Sequence, residues 1–582
     1  MDVDVVCVGF GPATGGFLTT LSRGIPLDDG AFPTVVCYER ADDIAFGVSG
    51  VVTKARGIRA SFLDLDPASI PMAVPVSNED VYYLLDPVGA SRRSAALRTA
   101  DTALRLSGNC PMDAFALPYV PPFLEKHGGM VMSIGQFNQW VGEQVMMSGT
   151  AQIWPGSPVA SAVIDGDAVR GVRLLDQGVD LQGEPASAFQ PGMEIRAALT
   201  VLGDGPVGPV GRQLDEHFGM PEGHEQREWA VGMKMVIDLP ETCALEPGSV
   251  IHTFGYPEPE IFGFCYVHQD HVASVGIFVP SWLENPLRSS YRYLQHYILH
   301  PFLWQHLQGG RLRSWGAKTL NESGRHGEPQ LVGDGWARIG EGSGSTNILA
   351  GSGVDEAWTT GVQLGEAVLE LWREGAPFTK ENLERSYVAK RRSSWVESEA
   401  RVAEHSRDGF HRGIIPGMLG MALAGFTGGR IHVPATPPAA LPSVEDFFSS
   451  RIPPLELERL RGEAAETGRP LHDAVMNRCG WPEIPYDGQL LMSQQDALLL
   501  GGKVQAAPGY ANHIRFRSDA VCILCGAKTC IAICSAQALT PGEESPAFDR
   551  EKCIHCGACL WNCEFQNIDL RAGAGGLHSA EN

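Results

Sequence analysis

The sequence lacks a hydrophobic run long enough to cross a membrane. None of its segments contains about 18 consecutive apolar residues, so no bilayer-spanning helix is predicted. The amino terminus, Met1-Asp2-Val3-Asp4, also lacks the positive start and the apolar stretch of a signal peptide. We therefore expect an intracellular protein that is either soluble or attached to a membrane surface.

Positive charge is also scarce. Lys and Arg number 45 against 68 Asp and Glu, which gives a formal net charge of −23. Because binding to nucleic-acid phosphates depends on clusters of Lys and Arg, this balance argues against a nucleic-acid partner. The G-x-S-x-G and H-E-x-x-H motifs are absent as well, so nothing supports a hydrolase of either type.

Cysteine is sparse in the first 500 residues and concentrated after them. Six cysteines are scattered singly up to Cys479, and packing in a core explains such isolated residues. The other eight lie between Cys522 and Cys563. Since disulfides are rare in intracellular proteins, this concentration predicts ligation of a metal or an iron–sulfur cluster.

The eight cysteines form two runs with ferredoxin-like spacing. The first is Cys522-x2-Cys525-x4-Cys530-x3-Cys534, and the second is Cys553-x2-Cys556-x2-Cys559-x3-Cys563. In two-cluster ferredoxins, the fourth cysteine of each run ligates the other cluster. This rule predicts one [4Fe–4S] cluster on Cys534, Cys553, Cys556 and Cys559. It predicts a second cluster, [4Fe–4S] or [3Fe–4S], on Cys522, Cys530 and Cys563 with Cys525 optional; two zinc knuckles are the alternative.

The amino-terminal segment has the pattern of a dinucleotide-binding unit. An apolar run from Val3 to Val8 precedes the glycine turn Gly9-Phe10-Gly11-Pro12-Ala13-Thr14-Gly15, and a second strand candidate ends at Glu39. Glycines let the backbone approach a pyrophosphate at the helix N-terminus, and Glu39 is placed to accept hydrogen bonds from ribose hydroxyls. Thr14 replaces the third glycine of the motif. The pattern predicts FAD or NAD rather than NADP, with an ordinary glycine-rich turn as the alternative.

Two later segments favour a flavin. Ala198 to Gly205 predicts a strand that ends in the turn Gly203-Asp204-Gly205, before a helix. Another strand precedes Gly340-Glu341-Gly342, and Gly353 precedes a helix predicted from Val354 to Leu371. Together with the first turn, these segments resemble the glutathione-reductase-like FAD fold. Because a second complete G-x-G-x-x-G is absent, we predict bound FAD without nicotinamide.

These patterns divide the chain into five parts. We expect the FAD-binding fold in residues 1–228 and again in 331–375, interrupted by an antiparallel β-sheet domain in 229–330. Residues 376–500 are expected to form a helical, membrane-contacting region. Residues 501–582 are expected to form a ferredoxin-like iron–sulfur domain. The predicted fold class is therefore mixed α+β and α/β.

The combination resembles the electron-transfer flavoprotein:ubiquinone oxidoreductase family over nearly the whole chain. Matching stretches include Glu39-Arg40 followed by Ser49-Gly50, Gly135-Gln136, Gly316 to Glu322 and Cys553-x-His555-Cys556. The cofactor-binding residues predicted from the motifs and the resemblance are Gly9, Gly11, Pro12, Ala13, Thr14, Gly15, Glu39, Arg40, Ser49, Gly50, Gly203, Asp204, Gly340, Glu341, Asn347 and Gly353. The single [4Fe–4S] cluster of the family corresponds to Cys534, Cys553, Cys556 and Cys559. The other four cysteines of the module are additional here.

The resemblance implies an enzyme on a membrane surface that takes electrons singly from reduced electron-transfer flavoprotein and delivers a pair to a quinone. The family has two adjacent glycines beside the quinone, which correspond to Phe262 and Gly263 here. The resemblance therefore implies a quinone-binding role for Gly263 alone. The identity of the quinone, ubiquinone or another such as menaquinone, therefore stays open. No catalytic acid–base pair is expected, because FAD and the clusters carry the chemistry.

The segment from Ile414 to Phe426 is almost wholly apolar and is flanked by Arg412 and Arg430. It is too short to cross a bilayer, but it can lie in the interface with the arginines at headgroup level. The membrane-contacting segment of the family falls here, so we expect peripheral attachment to the cytoplasmic face of the inner membrane. A buried core helix is the alternative.

Two other functions remain open at this point. One is a relay subunit on the quinone side of a flavin-based bifurcating electron-transfer-flavoprotein complex. The other is an FAD-dependent reductase of isoprenoid double bonds, which shares the fold but does not need the two cysteine runs.

Overall fold

The structure is a computed structural model that describes residues 1–24, 32–44, 50–226, 228–435, 442–500 and 508–573. The predicted cofactor ligand Ser49 lies outside these residues. The described residues form two large sheets, a helical region and a small cysteine-rich module.

The strands follow one another along the chain as listed here by their bounds. They are β1 (Asp2–Val8), β2 (Val35–Tyr38), β3 (Val51–Thr53), β4 (Val74–Pro75), β5 (Asn78–Leu84), β6 (Ala114–Ala116), β7 (Met130–Met132), β8 (Ala151–Trp154), β9 (Val159–Asp165), β10 (Ala168–Leu174), β11 (Gln177–Val179), β12 (Pro185–Gln190), β13 (Glu194–Leu202), β14 (Trp229–Asp238), β15 (Ser249–Phe254), β16 (Phe262–Val267), β17 (Val272–Pro280), β18 (Arg311–Asn321), β19 (Val332–Gly333), β20 (Trp336–Arg338), β21 (Ile514–Phe516), β22 (Leu539–Thr540), β23 (Ala547–Phe548) and β24 (Ile568–Leu570).

The helices are numbered in the same way. They are α1 (Pro12–Gly24), α2 (Arg56–Ser61), α3 (Ala95–Leu106), α4 (Ile134–Met147), α5 (Pro209–Phe218), α6 (Ser290–Ile298), α7 (Pro301–Leu307), α8 (Val354–Glu374), α9 (Lys380–Leu383), α10 (Ala389–Arg392), α11 (Trp395–Ala403), α12 (Ile414–Thr427), α13 (Val444–Phe448), α14 (Pro454–Thr467), α15 (Leu471–Arg478), α16 (Gln494–Leu500), α17 (Asp519–Leu524), α18 (Thr529–Ala532) and α19 (Ala558–Trp561).

The first sheet has a parallel centre in the order β20-β13-β1-β2-β8. β2 is buried along its length because elements cover both faces, which explains its unbroken apolar sequence. Helices α1 and α8 pack across one face with their backbones close together. A Cβ atom at Gly361 would lie 1.8 Å from the Ala13 carbonyl oxygen, so glycine is required at this crossing.

The second sheet has seven strands in the order β18-β14-β17-β16-β15-β5-β6. Most neighbours are antiparallel, but β5 pairs with β15 in parallel. The segment after Val81, which breaks the sequence pattern of the first domain, thus supplies part of β5 and all of β6 to this sheet. Helix α6 is buried along its whole length against the sheet.

The helical region and the cysteine-rich module complete the chain. The charged segment from 379 to 401 forms α9, α10 and most of α11, with a π-helical turn at Glu384–Val388. In the module, β21 pairs with β24 and β22 with β23, and short helices α17, α18 and α19 carry or adjoin the cysteines. These elements enclose a small core that includes Ile514, Leu539 and Ile568.

Candidate flavin and iron–sulfur sites

The first glycine turn meets the end of β13. Gly9 has a positive φ of 81°, and a Cβ atom there would lie 2.9 Å from the Gly203 carbonyl oxygen. The Thr14 hydroxyl donates to the Gly9 carbonyl at 2.7 Å and occupies the space that a side chain at Gly203 would need. This fit gives a physical reason why threonine replaces the third glycine of the motif.

The third predicted turn, at Gly340, packs against the start of α1 next to the first glycine turn. Gly340 has a φ of 72°, and its Cβ position lies 2.9 Å from the Ala13 side chain. Glu341 is half-buried and accepts a hydrogen bond from the Asn321 amide, and desolvation raises its pKa to about 7. The structure therefore brings three segments together that lie more than 130 residues apart in the chain.

Several predicted cofactor residues are held by protein groups. The Glu39 carboxylate accepts from the Phe10 and Ala41 amides at 2.8 and 3.0 Å. Asp204 is half-buried and accepts from the Val210 and Gly211 amides, so it caps the N-terminus of α5, and desolvation raises its pKa. The Asn347 amide nitrogen donates to Glu399 at 3.2 Å.

Open space and unpartnered polar atoms identify where a large polar cofactor fits. No heavy atom lies within 4 Å of the Cβ positions of Gly11 and Gly351, at the starts of α1 and α8. Among the described residues, the buried Lys234 ammonium and Thr346 hydroxyl have no hydrogen-bond partner. The Cβ position of Gly50 lies 3.6 Å from the Lys234 nitrogen. Because buried polar groups normally have partners, these two atoms fit a hydrogen-bonding ligand such as a dinucleotide.

Sequence reasoning missed both of these residues. Lys234 interrupts the buried apolar strand β14, and a lysine in such a run was the available signal. Burial lowers its pKa well below the ordinary lysine value. The sequence around Thr346 contains no comparable signal.

The cysteines form two groups, as the ferredoxin rule predicts. The inner quartet is defined as Cys534, Cys553, Cys556 and Cys559. All four residues line one small pocket together with apolar residues such as Ile554 and Leu539. Burial, together with the nearby Cys534 thiol, raises the pKa of Cys556 to about 11. The Ala538 amide donates to the Cys534 sulfur at 3.2 Å, and the His513 ring lies 3.1 Å from the Cys553 sulfur.

The outer quartet is defined as Cys522, Cys525, Cys530 and Cys563. Burial, with a smaller contribution from the neighbouring Cys563, Cys525 and Cys522 thiols, raises the pKa of Cys530 to about 12. Asn567 donates from its side chain to the Cys522 sulfur at 3.1 Å and from its amide to the Cys563 sulfur at 3.2 Å. Both quartets thus have thiols that converge and accept hydrogen bonds, which fits iron–sulfur ligation.

The loop of the inner quartet contacts both large sheets. The Thr319 amide on β18 donates to the Cys556 carbonyl at 2.8 Å. Arg40, at the end of β2, lies 3.0 Å from the His555 ring. On the following helix, Trp561 stacks on Trp229 with ring centroids 3.5 Å apart. These contacts join the predicted cluster site to the predicted flavin site.

The predicted quinone residue Gly263 lies on β16 against a tyrosine. A Cβ atom at Gly263 would lie 2.5 Å from the Tyr297 ring, and the Tyr297 hydroxyl forms a 2.8 Å hydrogen bond with Thr253. The neighbouring Phe262 packs on Phe410 and lies beneath the Arg407 guanidinium. Phe262 therefore belongs to an apolar cluster that extends to α12.

Helix α12 presents one apolar face to the protein and another to the solvent. Ile414 and Met421 are buried, whereas Ile415, Leu419 and Phe426 are exposed. Among the described helices, none combines the length and the apolar character that a membrane crossing requires.

Comparison with known proteins agrees with this geometry. Residues 229–320 match the family described as ETF-QO, ubiquinone-binding, and residues 545–568 match the 4Fe-4S binding domain. An electron transfer flavoprotein-ubiquinone oxidoreductase from Pseudomonas aeruginosa is 28% identical over 405 residues, covering 69% of each protein. The mitochondrial enzyme of the same name from Mus musculus is 26% identical and covers 100% of this chain and 89% of that protein.

The resemblance to the electron transfer flavoprotein-ubiquinone oxidoreductases is confirmed. The prediction that the cysteine-rich module binds a [4Fe–4S] cluster is confirmed by the match over residues 545–568. Among solved structures, a geranylgeranyl bacteriochlorophyll reductase-like protein from Thermoplasma acidophilum aligns with a TM-score of 0.50 at 13% identity, over 77% of this chain and 99% of that chain. This likeness shows a shared fold alone, and it confirms the predicted fold class.

Proposed function

We propose that this chain accepts electrons from reduced electron transfer flavoprotein and passes them through iron–sulfur clusters and FAD to a quinone. The contact between the Thr319 amide and the Cys556 carbonyl carries the proposal. Thr319 lies on β18, inside the region matched as ubiquinone-binding. The contact therefore joins the inner quartet to the part of the chain where a quinone would react.

The proposal assigns a role to each part of the chain. Residues 1–228 and 331–375 form the FAD-binding domain, and residues 229–330 form the quinone-proximal sheet. Residues 376–500 form the helical, membrane-contacting region, and residues 501–582 form the iron–sulfur domain. The two sheets, the run of helices and the two cysteine groups support this division, except that β5 and β6 from the first segment join the second sheet.

FAD would be held between the first glycine turn, the Gly340 turn and the start of α8. The open positions at Gly11 and Gly351 and the positive φ of Gly9 and Gly340 support this assignment. When bound, FAD and the clusters couple single-electron delivery to the two-electron reduction of a quinone. Lys234 is the buried donor that this chain offers to the bound flavin, since its nitrogen lies near Gly50 and has no described partner.

We assign the [4Fe–4S] cluster to the inner quartet and a second cluster, [4Fe–4S] or [3Fe–4S], to the outer quartet. The Cys522 and Cys563 sulfurs both lie within hydrogen-bond distance of Asn567, and this proximity supports the second assignment. The hydrogen bonds from Asn567 to Cys522 and Cys563 support it as well, because such donors stabilise thiolate sulfur.

The exposed face of α12 would lie in the membrane interface on the cytoplasmic side of the inner membrane. Ile415, Leu419 and Phe426 would enter the acyl region, and the exposed Arg412 and Arg430 at the two ends suit phospholipid headgroups. A quinone would pass from this face along the apolar cluster around Phe262. Gly263 would keep the strand close to Tyr297 at that point.

The direct test uses the purified holoprotein in detergent without oxygen. The flavin is reduced by light, a short-chain ubiquinone or menaquinone is added, and flavin reoxidation is followed by stopped flow. Reoxidation within milliseconds to seconds is expected. Slow reoxidation by both quinone types would refute the quinone assignment. A Phe262→Gly variant, which restores the glycine of the family, is expected to change the preference between the two quinones.

A further inference from the structure

A third group of ligating side chains lies outside the flavin and cluster sites. His326, Glu404 and His405 each offer one nitrogen or oxygen atom, and these three atoms lie within 4.8 Å of one another. His326 belongs to the 3₁₀ turn Gly324–Gly327 that follows β18, and Glu404 and His405 follow α11. Two chain segments separated by more than 70 residues thus converge at one point near the surface.

A neighbouring carboxylate orients one of the imidazoles. Asp408 lies 2.9 Å from Nδ1 of His405, so this nitrogen is engaged and Nε2 is left for another ligand. Metal-binding histidines usually have such a carboxylate partner, because it fixes the ring orientation and raises the basicity of the ligating nitrogen.

A third histidine completes the surroundings. The His432 ring stacks on His405 with centroids 4.2 Å apart, and the His326 ring centroid lies 5.3 Å from that of His405. Arg325 competes weakly for Glu404, since its Nε atom lies 3.8 Å from the carboxylate. Arg325 pairs more closely with Glu397, so it keeps a partner when Glu404 turns to a cation.

We propose that His326, Glu404 and His405 bind a divalent transition-metal ion, with zinc as the best-fitting ion. Two imidazole nitrogens and one carboxylate oxygen form a ligand set that zinc accepts, with water or His432 in the fourth position. Magnesium and calcium fit less well, because both prefer sites built wholly from oxygen ligands.

The position of the site predicts what the ion does. Helix α12 lies between His405 and His432 in the chain, and His326 follows the last strand of the second sheet. A bound ion therefore ties the segment before α12 to the sheet and stabilises the base of this apolar helix. This inference does not depend on the proposed electron-transfer function.

The test is carried out on the holoprotein with intact clusters, verified by iron and labile sulfide content. Protein treated with a chelator that leaves the clusters intact is titrated with zinc, and bound zinc is measured by mass spectrometry. X-ray absorption at the zinc edge then identifies the ligands, because nitrogen or oxygen ligands at about 2.0–2.1 Å differ from sulfur ligands at about 2.3 Å. One zinc per chain with imidazole scattering and no sulfur ligand is expected.

Three variants make the result specific. His405→Ala and, separately, the exposed ligand His326→Ala are expected to abolish this zinc. Asp408→Asn is expected to weaken binding about ten- to hundredfold, as loss of an orienting carboxylate does elsewhere. His217→Ala, an exposed histidine on α5, is the matched control and is expected to bind zinc as the unaltered protein does. Equal zinc binding in all variants, or sulfur ligation in the unaltered protein, would overturn the proposal.

Discussion

The inner and outer quartets have nearly the same local sequence spacing but very different surroundings. The inner loop contacts β18 through Thr319 and the end of β2 through Arg40. Three exposed apolar residues adjoin the cysteines of the outer quartet in sequence: Ile523, Leu524 and Phe565, which are 58%, 83% and 52% exposed. Because solvent exposure and hydrogen bonds tune cluster potentials, the two sites are expected to differ in potential and in role. We expect the outer quartet to receive electrons from a protein donor and the inner quartet to pass them to the flavin.

The largest expected effect is at the inner quartet. Cys556→Ser removes one thiolate of the [4Fe–4S] site and is expected to abolish both this cluster and electron flow from donor to quinone. Iron content and the low-temperature paramagnetic resonance spectrum of the reduced protein measure the first effect, and steady-state quinone reduction measures the second. Cys479→Ser, which changes a half-buried cysteine outside both quartets, is the control. Normal activity in Cys556→Ser would contradict the assignment.

The outer quartet is expected to respond differently. Cys530→Ser should remove the second cluster while the inner signal remains, because the two ligand sets share no cysteine. Quinone reduction by protein whose flavin was reduced by light should then continue, whereas reduction by the protein donor should fall strongly. Unchanged iron content in this variant would show that the outer quartet holds no cluster.

The sequence predicted the pairing of these cysteines but not their surroundings. Spacing rules are local, so they group Cys534 with Cys553, Cys556 and Cys559. The contact of Cys556 with Thr319, by contrast, joins residues more than 200 positions apart. It depends on how the cysteine-rich module packs against the second sheet. No pattern within either segment encodes it.

In the predicted flavin site, too, local patterns were predicted from the sequence, but contacts between distant residues were not. The glycine turns were predicted from the sequence, because close backbone approach requires glycine. The use of Asp204 as a cap for α5 did not follow from the chain. The contact between Gly263 and the Tyr297 ring was not predicted either. The glycine is needed there because a side chain from a helix distant in sequence occupies the space, and not only to leave room for a ligand.

The packing difference between the quartets gives a matched pair of glycine variants. Gly557, in the inner loop, has a φ of 80°, and a Cβ atom there would lie 2.5 Å from Val207. Gly557→Ala is therefore expected to destabilise the protein by about 1–3 kcal/mol. Gly526, in the outer loop, has no heavy atom within 4 Å of its Cβ position. Gly526→Ala should leave the free energy of unfolding unchanged, and thermal denaturation of both holoproteins checks the difference.

A smaller effect is expected on the outer surface itself. Leu524→Glu places a charge where we expect the donor to dock, and it should raise the KM for the donor about five- to tenfold, which is about 1 kcal/mol. Stability should stay the same because the side chain is exposed. Leu455→Glu, at an equally exposed site on α14, is the control. Equal KM values for the two variants would place the docking surface elsewhere.

The smallest expected effect concerns the segment before α12, which lies close to the cysteine-rich module. His411, just before α12, lies 2.6 Å from Glu228, which precedes the Trp229 ring that stacks on Trp561. The Glu228 carboxylate raises the pKa of His411, so the folded protein holds this proton more tightly than the unfolded chain does. The resulting stability is fully present below the unfolded pKa of about 6.5 and is lost as pH rises through the folded pKa.

His411→Gln should therefore lower the free energy of unfolding by about 1 kcal/mol at pH 6, since a hydrogen bond to a charged group is lost. The loss should be smaller at pH 8.5, because the contribution of the charged histidine declines as pH rises through its raised pKa. Urea denaturation at the two pH values measures the difference. An equal loss at both would mean that His411 contributes through packing against Trp282 rather than through its charge, since the two rings lie 6.4 Å apart.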